Sequence, residues 1–195
     1  MSAQFVARAL SYCLGVGTIA LKGRRQRPWL EIIRSETERP YLSHQLKQLR
    51  EAHLGKLEFV LDVLPCDGFY DDVRLRVRSD ELYRAYELMY PRDKKVITPQ
   101  ILDITGIVGI SALWSDRGRI IGKIAKIHSR FSPEANAALA NWCNTNGFEC
   151  KLMNRLDKSY GIQFTRESTQ AFIAAVRPHT HKVMRKRFKP SPVRR

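Results

Sequence analysis

Between residues 57 and 77 the apolar side chains fall on every second position: Leu57, Phe59, Leu61 and Val63, then Val73, Leu75 and Val77. Such alternation places successive side chains on opposite faces of an extended chain. It predicts two strands joined through the turn-forming run Pro65-Cys66-Asp67-Gly68, with a core under one face. The other face of the second strand carries Arg74, Arg76 and Arg78. Elsewhere the interval lengthens. Leu42, Leu46 and Leu49 predict an amphipathic helix within 41–55 that stops at Gly55, and Leu82, Tyr86 and Met89 predict another that ends before Pro91. Ser79 opens this second helix, with Asp80 and Glu81 where the positive end of the helix dipole favours acids.

Residues 5–14 read as a helix in which the small residues Ala7, Ala9 and Ser11 are interleaved with larger apolar ones, closing at Gly15 and Gly17. The β-rich runs 18–23 and 29–35 flank Arg24-Arg25-Gln26-Arg27-Pro28, which predicts a hairpin with a positive tip. The same order then recurs. Residues 104–114 predict a second small-residue helix, with Gly106, Gly109, Ser111 and Ala112, that closes at Gly118. In 119–130, Ile120, Ile121, Ile124 and Ile127 fit a helix or a strand by period, and their place in the repeat argues for a hairpin. Ser132 and Pro133 start a helix that Asn146-Gly147 ends; 148–153 and 160–165 are a strand pair, and 168–176 is a last helix. The chain therefore reads α-β-β-α-β-β-α twice, an α+β arrangement. Residues 1–98 form the first repeat, 99–188 the second, and 189–195 a basic C-terminal tail.

Composition narrows the partners. A chain of 195 residues can bury a core without metal or disulfide. Lys and Arg number 34 against 19 Asp and Glu, a net charge of +15, while 44% hydrophobic content sets the chain apart from a disordered basic tail. That excess favours a polyanion, because each cation placed on a phosphate releases condensed counterions. No apolar run approaches the roughly 18 residues of a membrane span, and no membrane partner is expected. Cys13, Cys66, Cys143 and Cys150 form no C-x-x-C pair and have no His at zinc-ligand spacing, so they read as reduced structural thiols. Gly15-Val16-Gly17 is too short for a nucleotide fingerprint. No metal or cofactor is expected. Residues 1–30 hold five Lys or Arg and no acid, the composition of an organelle transit peptide, although the same stretch carries the first small-residue helix.

Two small-residue helices, each closing on a glycine before a hairpin, with Gly17 and Gly118 101 residues apart, resemble the paired signature helices of the LAGLIDADG homing endonuclease family. Residues 14–19, Leu-Gly-Val-Gly-Thr-Ile, are similar to the family's L-G-D-G-S-I. Residues 38–49 resemble its segment after the first hairpin, 86–97 its tyrosine-proline-lysine linker, and 131–152 the helix and strand of its second half. The resemblance spans about residues 5–188. It implies a pseudo-symmetric monomer whose signature helices approach closely at Ala9, Gly109 and Ala112, with two curved antiparallel sheets forming a basic saddle over a duplex. In active members, the acid directly before each signature glycine holds the divalent metals for phosphodiester hydrolysis. Here those positions are Val16 and Arg117. Valine offers no ligand, and a guanidinium repels Mg²⁺ while attracting phosphate. Asp116 stands one place earlier, which on a helix turns its side chain about 100° from the shared site. A degenerate endonuclease, no longer an enzyme, is expected.

Resemblance and charge together imply an RNA-binding protein, an rRNA-binding component of an organellar ribosome, mitochondrial rather than plastid, set among neighbouring ribosomal proteins. RNA recognition leans on shape and backbone contacts that cationic faces supply. An intron-splicing factor, a DNA-binding relic, and an active nuclease recruiting Asp116 or Asp103 are the alternatives. The expected nucleic-acid contacts are Lys22, Arg24, Arg25 and Arg27 at the hairpin tip, Arg74, Arg76 and Arg78 on the strand, and Arg117 as a phosphate clamp. Arg119, Lys123, Lys126 and Arg130 continue them along the second hairpin. Lys182, Arg185, Lys186, Arg187 and Lys189 follow in the stretch 181–195, which has seven Lys or Arg and no acid. Trp29, Trp114 and Trp142 are assigned to the core, His179 and His181 to an RNA-facing or solvated position, and Lys94 and Lys95 to the linker between repeats.

Overall fold

The Ser2 hydroxyl accepts the N–H of Phe5, and that cap starts α1 (Ala3–Leu14), whose Phe5, Ala9, Leu10, Cys13 and Leu14 are fully buried. The chain then forms β1 (Thr18–Lys22), β2 (Arg27–Ser35), α2 (Arg39–Ala52), β3 (Glu58–Leu64), β4 (Asp72–Arg78) and α3 (Leu82–Met89). The second half repeats the order with α4 (Pro99–Arg117), β5 (Gly118–Ile121), β6 (Ile124–Ser129), α5 (Pro133–Thr145), β7 (Cys150–Asn154), β8 (Tyr160–Phe164) and α6 (Arg166–Val176). Two 3₁₀ stretches, Arg177–His179 and Lys182–Phe188, lead to a short β9 (Pro190–Ser191). The computed structural model describes residues 2–22, 27–64, 71–129, 131–154 and 160–191, the side chains of 22, 154 and 191 excepted.

Each half contributes an antiparallel four-strand sheet, ordered β1-β2-β4-β3 and β7-β8-β6-β5, and β9 joins the second by pairing parallel to β5. Helices cover one face of each sheet. α1 and α4 pack against each other between the halves, and a methyl on Gly109 would stand 2.9 Å from Leu14 Cδ1, so the small residue sets how near the helices come. Around them lies one apolar core, in which Val73, Leu75 and Val77 of β4 are fully buried, as their alternation predicts.

The ambiguous stretch 119–130 is a hairpin, turned at Gly122 with φ +59°, a left-handed value that favours glycine. α4 begins at Pro99 rather than near Ile104, because Thr98 Oγ1 accepts the N–H of Ile101 and proline is preset for the first turn. Ser79 accepts the N–H of Glu81, but α3 itself starts at Leu82. β3 departs from its pattern: Phe59, Val60 and Val63 are all more than 40% exposed. It is an edge strand, and alternation in sequence cannot say which strands a helix will cover. Trp29 also departs from its assignment. It shares parity with the arginines, not with Leu30 and Ile32, and lies on the open face with the Arg76 and Arg78 guanidiniums 5.8 and 5.7 Å from its ring. Trp114 and Trp142 are buried as expected. Cys13, Cys143 and Cys150 are buried free thiols, burial pushing Cys13 up to about 12, and Cys66 lies outside the described residues.

Candidate nucleic-acid interface

The two signature helices end beside each other, and Asp116 joins them. Its Oδ2 accepts the Val16 N–H at 2.8 Å, which gives the end of α1 a partner on the other helix. The carboxylate fits there because residue 15 has no side chain: a methyl on Gly15 would stand 1.9 Å from Oδ2. Gly15→Ala is expected to cost about 1–3 kcal/mol by displacing a buried charge, read as a lowered urea midpoint with an unchanged slope.

Asp116 is closed in. Its side chain is 1% exposed and Oδ1 lies 2.8 Å from Arg34 Nη1, a contact that is ionic, since no guanidinium N–H is aligned on that oxygen. Arg34, 3% exposed, points inward from β2 in the parity of Leu30 and Ile32. It also donates to Gln45 Oε1 (3.2 Å) and Glu38 Oε2 (3.3 Å), and lies 4.4 Å from the Tyr41 ring centre. Burial opposes the charge on Arg34, but Asp116, Tyr41 and Glu38 together outweigh it and hold the pKa above its ordinary value. Tyr41 is pushed up to about 12, chiefly by burial.

Two more cations complete the junction. Lys95 keeps an exposed stem, yet its Nζ donates to the Gly17 carbonyl at 3.2 Å, where lost hydration pulls its pKa down. It is thus more than a linker residue. Arg117 is half-buried at the end of α4, with no hydrogen bond or ion pair from its guanidinium among the described residues. Asp103 is remote from this point. It sits thirteen residues back on α4, beyond a kink at Gly106, and accepts from Trp142 Nε1 at 3.1 Å.

The open sheet faces differ in charge. On the first, register sets Arg78 between Trp29 and Glu58, Arg76 between Glu31 and Val60, and Arg74 between Ile33 and Asp62. Arg74 and Arg76 pair with Asp62, and Arg78 reaches Glu58 at 3.3 Å. The arginine face foreseen in the sequence exists, and acids on neighbouring strands balance it. On the second, Arg119, Lys126, Gln163 and Lys151 are successive partners across β5, β6, β8 and β7, a row about 14 Å long at ordinary strand spacing. None of those four strands contains an acid. Lys123 is exposed at the hairpin turn beside this row. Arg27 extends the first face, while Arg24, Arg25, Arg130 and the side chain of Lys22 lie outside the described residues. Lys151 and Gln163 were not singled out in the sequence, although period-two counting along their strands places them with Lys126.

The C-terminal segment packs on the protein's own helices. Lys186 Nζ reaches Glu38 Oε1 at 3.0 Å, and Arg187 Nε donates to the Ser115 carbonyl at 3.2 Å, serving the C-terminal end of α4. Burial would raise the Glu38 carboxyl, but hydrogen bonds from Lys186 and Arg34 hold it below its usual range. Met184 is fully buried and Phe188 stacks on Trp114. His181 stacks on His44 and Tyr41. Lys182, Arg185, Lys189 and His179 are exposed.

Among the described residues no group of three or more His, Cys, Asp or Glu gathers as around a metal, and no helix is long and apolar enough to cross a membrane. No family model and no curated protein matches the chain. Its fold is similar to that of the homing endonuclease I-WcaI bound to its DNA recognition sequence, with a TM-score of 0.77 and 16% identity over 98% of this chain and 88% of that one. I-DmoI in complex with DNA and Ca gives 0.61 and 16% over 90% of each chain. The N-terminal LAGLIDADG domain of WhiA gives 0.52 and 10% over 90% of this chain and 83% of that one. At these identities the likeness is one of fold, and it covers both halves: the chain has the two-repeat LAGLIDADG fold of the homing endonucleases.

Proposed function

We propose that this chain is a non-cleaving nucleic-acid-binding protein that holds structured RNA, as an rRNA-binding component of a mitochondrial ribosome. The observation that carries this reading is the junction of the signature helices. Two-metal hydrolysis needs hard oxygen ligands facing the scissile phosphate. Val16 and Arg117 stand where the family places them, and both oxygens of Asp116 are engaged, one by the Val16 N–H and one by Arg34. With Arg34, Arg117 and Lys95 around one carboxylate, the residues fit an anion and do not fit a pair of divalent cations. The row from Arg119 to Lys151 favours RNA, whose duplex form is recognised through phosphates and shape more than through base edges. A DNA-binding relic is the second reading, favoured by I-WcaI being bound to DNA.

Sedimentation of the endogenous protein through a gradient in high salt with Mg²⁺, with and without ribonuclease, tests both. Co-migration with a ribosomal subunit that survives salt and is lost after ribonuclease is expected. Migration as free protein, or with DNA in a ribonuclease-resistant complex, overturns the ribosomal reading.

A further inference from the structure

A cavity of about 380 Å³ opens on the helical side of the molecule, away from both sheet faces. Its walls come from α1, α2 and the segment after α6, and it is lined by Arg8, His44, His179, His181, Lys182 and Arg185. Among the described residues no acid lines it, and none of Arg8, Lys182 and Arg185 has an acidic partner. Gln48 also reaches it. Its Oε1 accepts the Tyr12 hydroxyl at 2.7 Å, and its amide N–H groups make no hydrogen bond among the described residues, so they are left as donors. The His44 and His181 rings stack with centres 4.9 Å apart. Burial lowers both pKa values, and the surrounding cations, Arg8 for His44, and His44, Lys182 and Arg185 for His181, lower them further. Among the described residues Glu51 is the acid acting on the pair, on His44, where burial and Arg8 outweigh it.

We propose that this cavity is a second phosphate-binding site, which takes the backbone of a nucleic-acid strand other than the one on the sheet faces. The inference rests on the nucleic-acid reading above and extends it to an opposite surface. Guanidinium, imidazole and amide donors on three walls suit the several oxygens of a phosphodiester, and the absence of lining acid leaves the field uncompensated until an anion arrives. The cavity is roomier than one phosphate requires, which suits a phosphate carrying its sugars. A protein gripping one duplex has no use for such a site on its back. One embedded in folded RNA meets strands on several sides.

The test uses the full chain and an RNA duplex of about 16 base pairs, with stoichiometry read by analytical ultracentrifugation at about 0.1 M salt. The wild type is expected to bind two duplexes. Lys182→Glu with Arg185→Glu, both at exposed positions, is expected to bind one, with at least a tenfold loss at the weaker site. Arg119→Glu with Lys151→Glu is expected to bind one through the helical side, and the combination none. A wild type that binds a single duplex, or a Lys182→Glu, Arg185→Glu variant with unchanged stoichiometry, overturns the second site and leaves sheet-face binding standing. Loss of nothing in the sheet-face variant overturns the functional reading instead. In a histidine NMR titration, inorganic phosphate should raise the pKa of His44 and His181 in the wild type, and the duplex should displace it. Phosphate binding that the duplex does not displace assigns the cavity to a free anion and overturns the nucleic-acid assignment.

Discussion

Arg34→Met is expected to destabilise the protein by about 3–5 kcal/mol, the penalty of leaving one member of a buried ion pair without its partner. The substitution keeps an unbranched apolar stem of similar reach, so the loss isolates the charge. Asp116, with its side chain 1% exposed, would retain the Val16 N–H as its hydrogen bond and lose its ion pair. Gln45 would lose its donor, and Glu38 would keep Lys186 alone. Arg34→Lys restores a charge but not a fork that reaches Asp116, Glu38 and Gln45 together, so it should recover a minority of the loss. In the pair Arg34→Met, Asp116→Asn, a neutral amide replaces the stranded carboxylate and part of the stability returns. Urea unfolding of the four proteins gives the answer. A loss under about 1 kcal/mol in Arg34→Met would mean that Asp116 finds water or another cation, and that the junction is looser than a buried pair requires.

Neutralising Arg119 and Lys151 to Gln is expected to lower affinity for duplex RNA roughly tenfold or more, and to reduce the slope of log K against log salt by about one for each phosphate left without its cation. The same change at Arg74, Arg76 and Arg78 should cost distinctly less. Those arginines are held by Asp62 and Glu58, so a phosphate binds there only by displacing a carboxylate, and removing the arginine removes that cost along with the attraction. The second sheet face presents cations on strands that carry no acid. Filter binding across a salt series measures both quantities. Equal losses per cation from the two sets would show that the carboxylates on the first face do not compete with phosphate.

Much of this protein was legible in its residue pattern. The period-two run in β4, the small residues of α1 and α4, the cap at Ser132, and the order of elements all express local geometry, which acts over a few residues and leaves a periodic trace. The places of Val16 and Arg117 were legible for the same reason: each stands directly before a glycine, Gly17 or Gly118, that closes a small-residue helix. Two facts lay one step deeper and could have been counted. Arg34 shares parity with Leu30 and Ile32, and Lys151 shares a face with Lys126, both consequences of strand alternation once register is known.

What remained was decided by residues far apart in the chain. Asp116 looks like a stray acid in sequence. Its role depends on Gly15 lying a hundred residues away with no side chain, and on Arg34 entering from a strand of the other half. The three arginines of β4 promise a cationic face, and only pairing with β3 sets Asp62 and Glu58 beside them. The C-terminal run reads as a basic tail, and only packing on α2 and α4 ties Lys186 to Glu38 and Arg187 to Ser115 while leaving Lys182 and Arg185 around a cavity. Sequence by itself determined the elements and their order, because covalent neighbours and short periods determine those. Which charges are neutralised and which stay available was decided by the tertiary structure, because Coulomb interactions depend on distance through space and on burial, and neither is written along the chain.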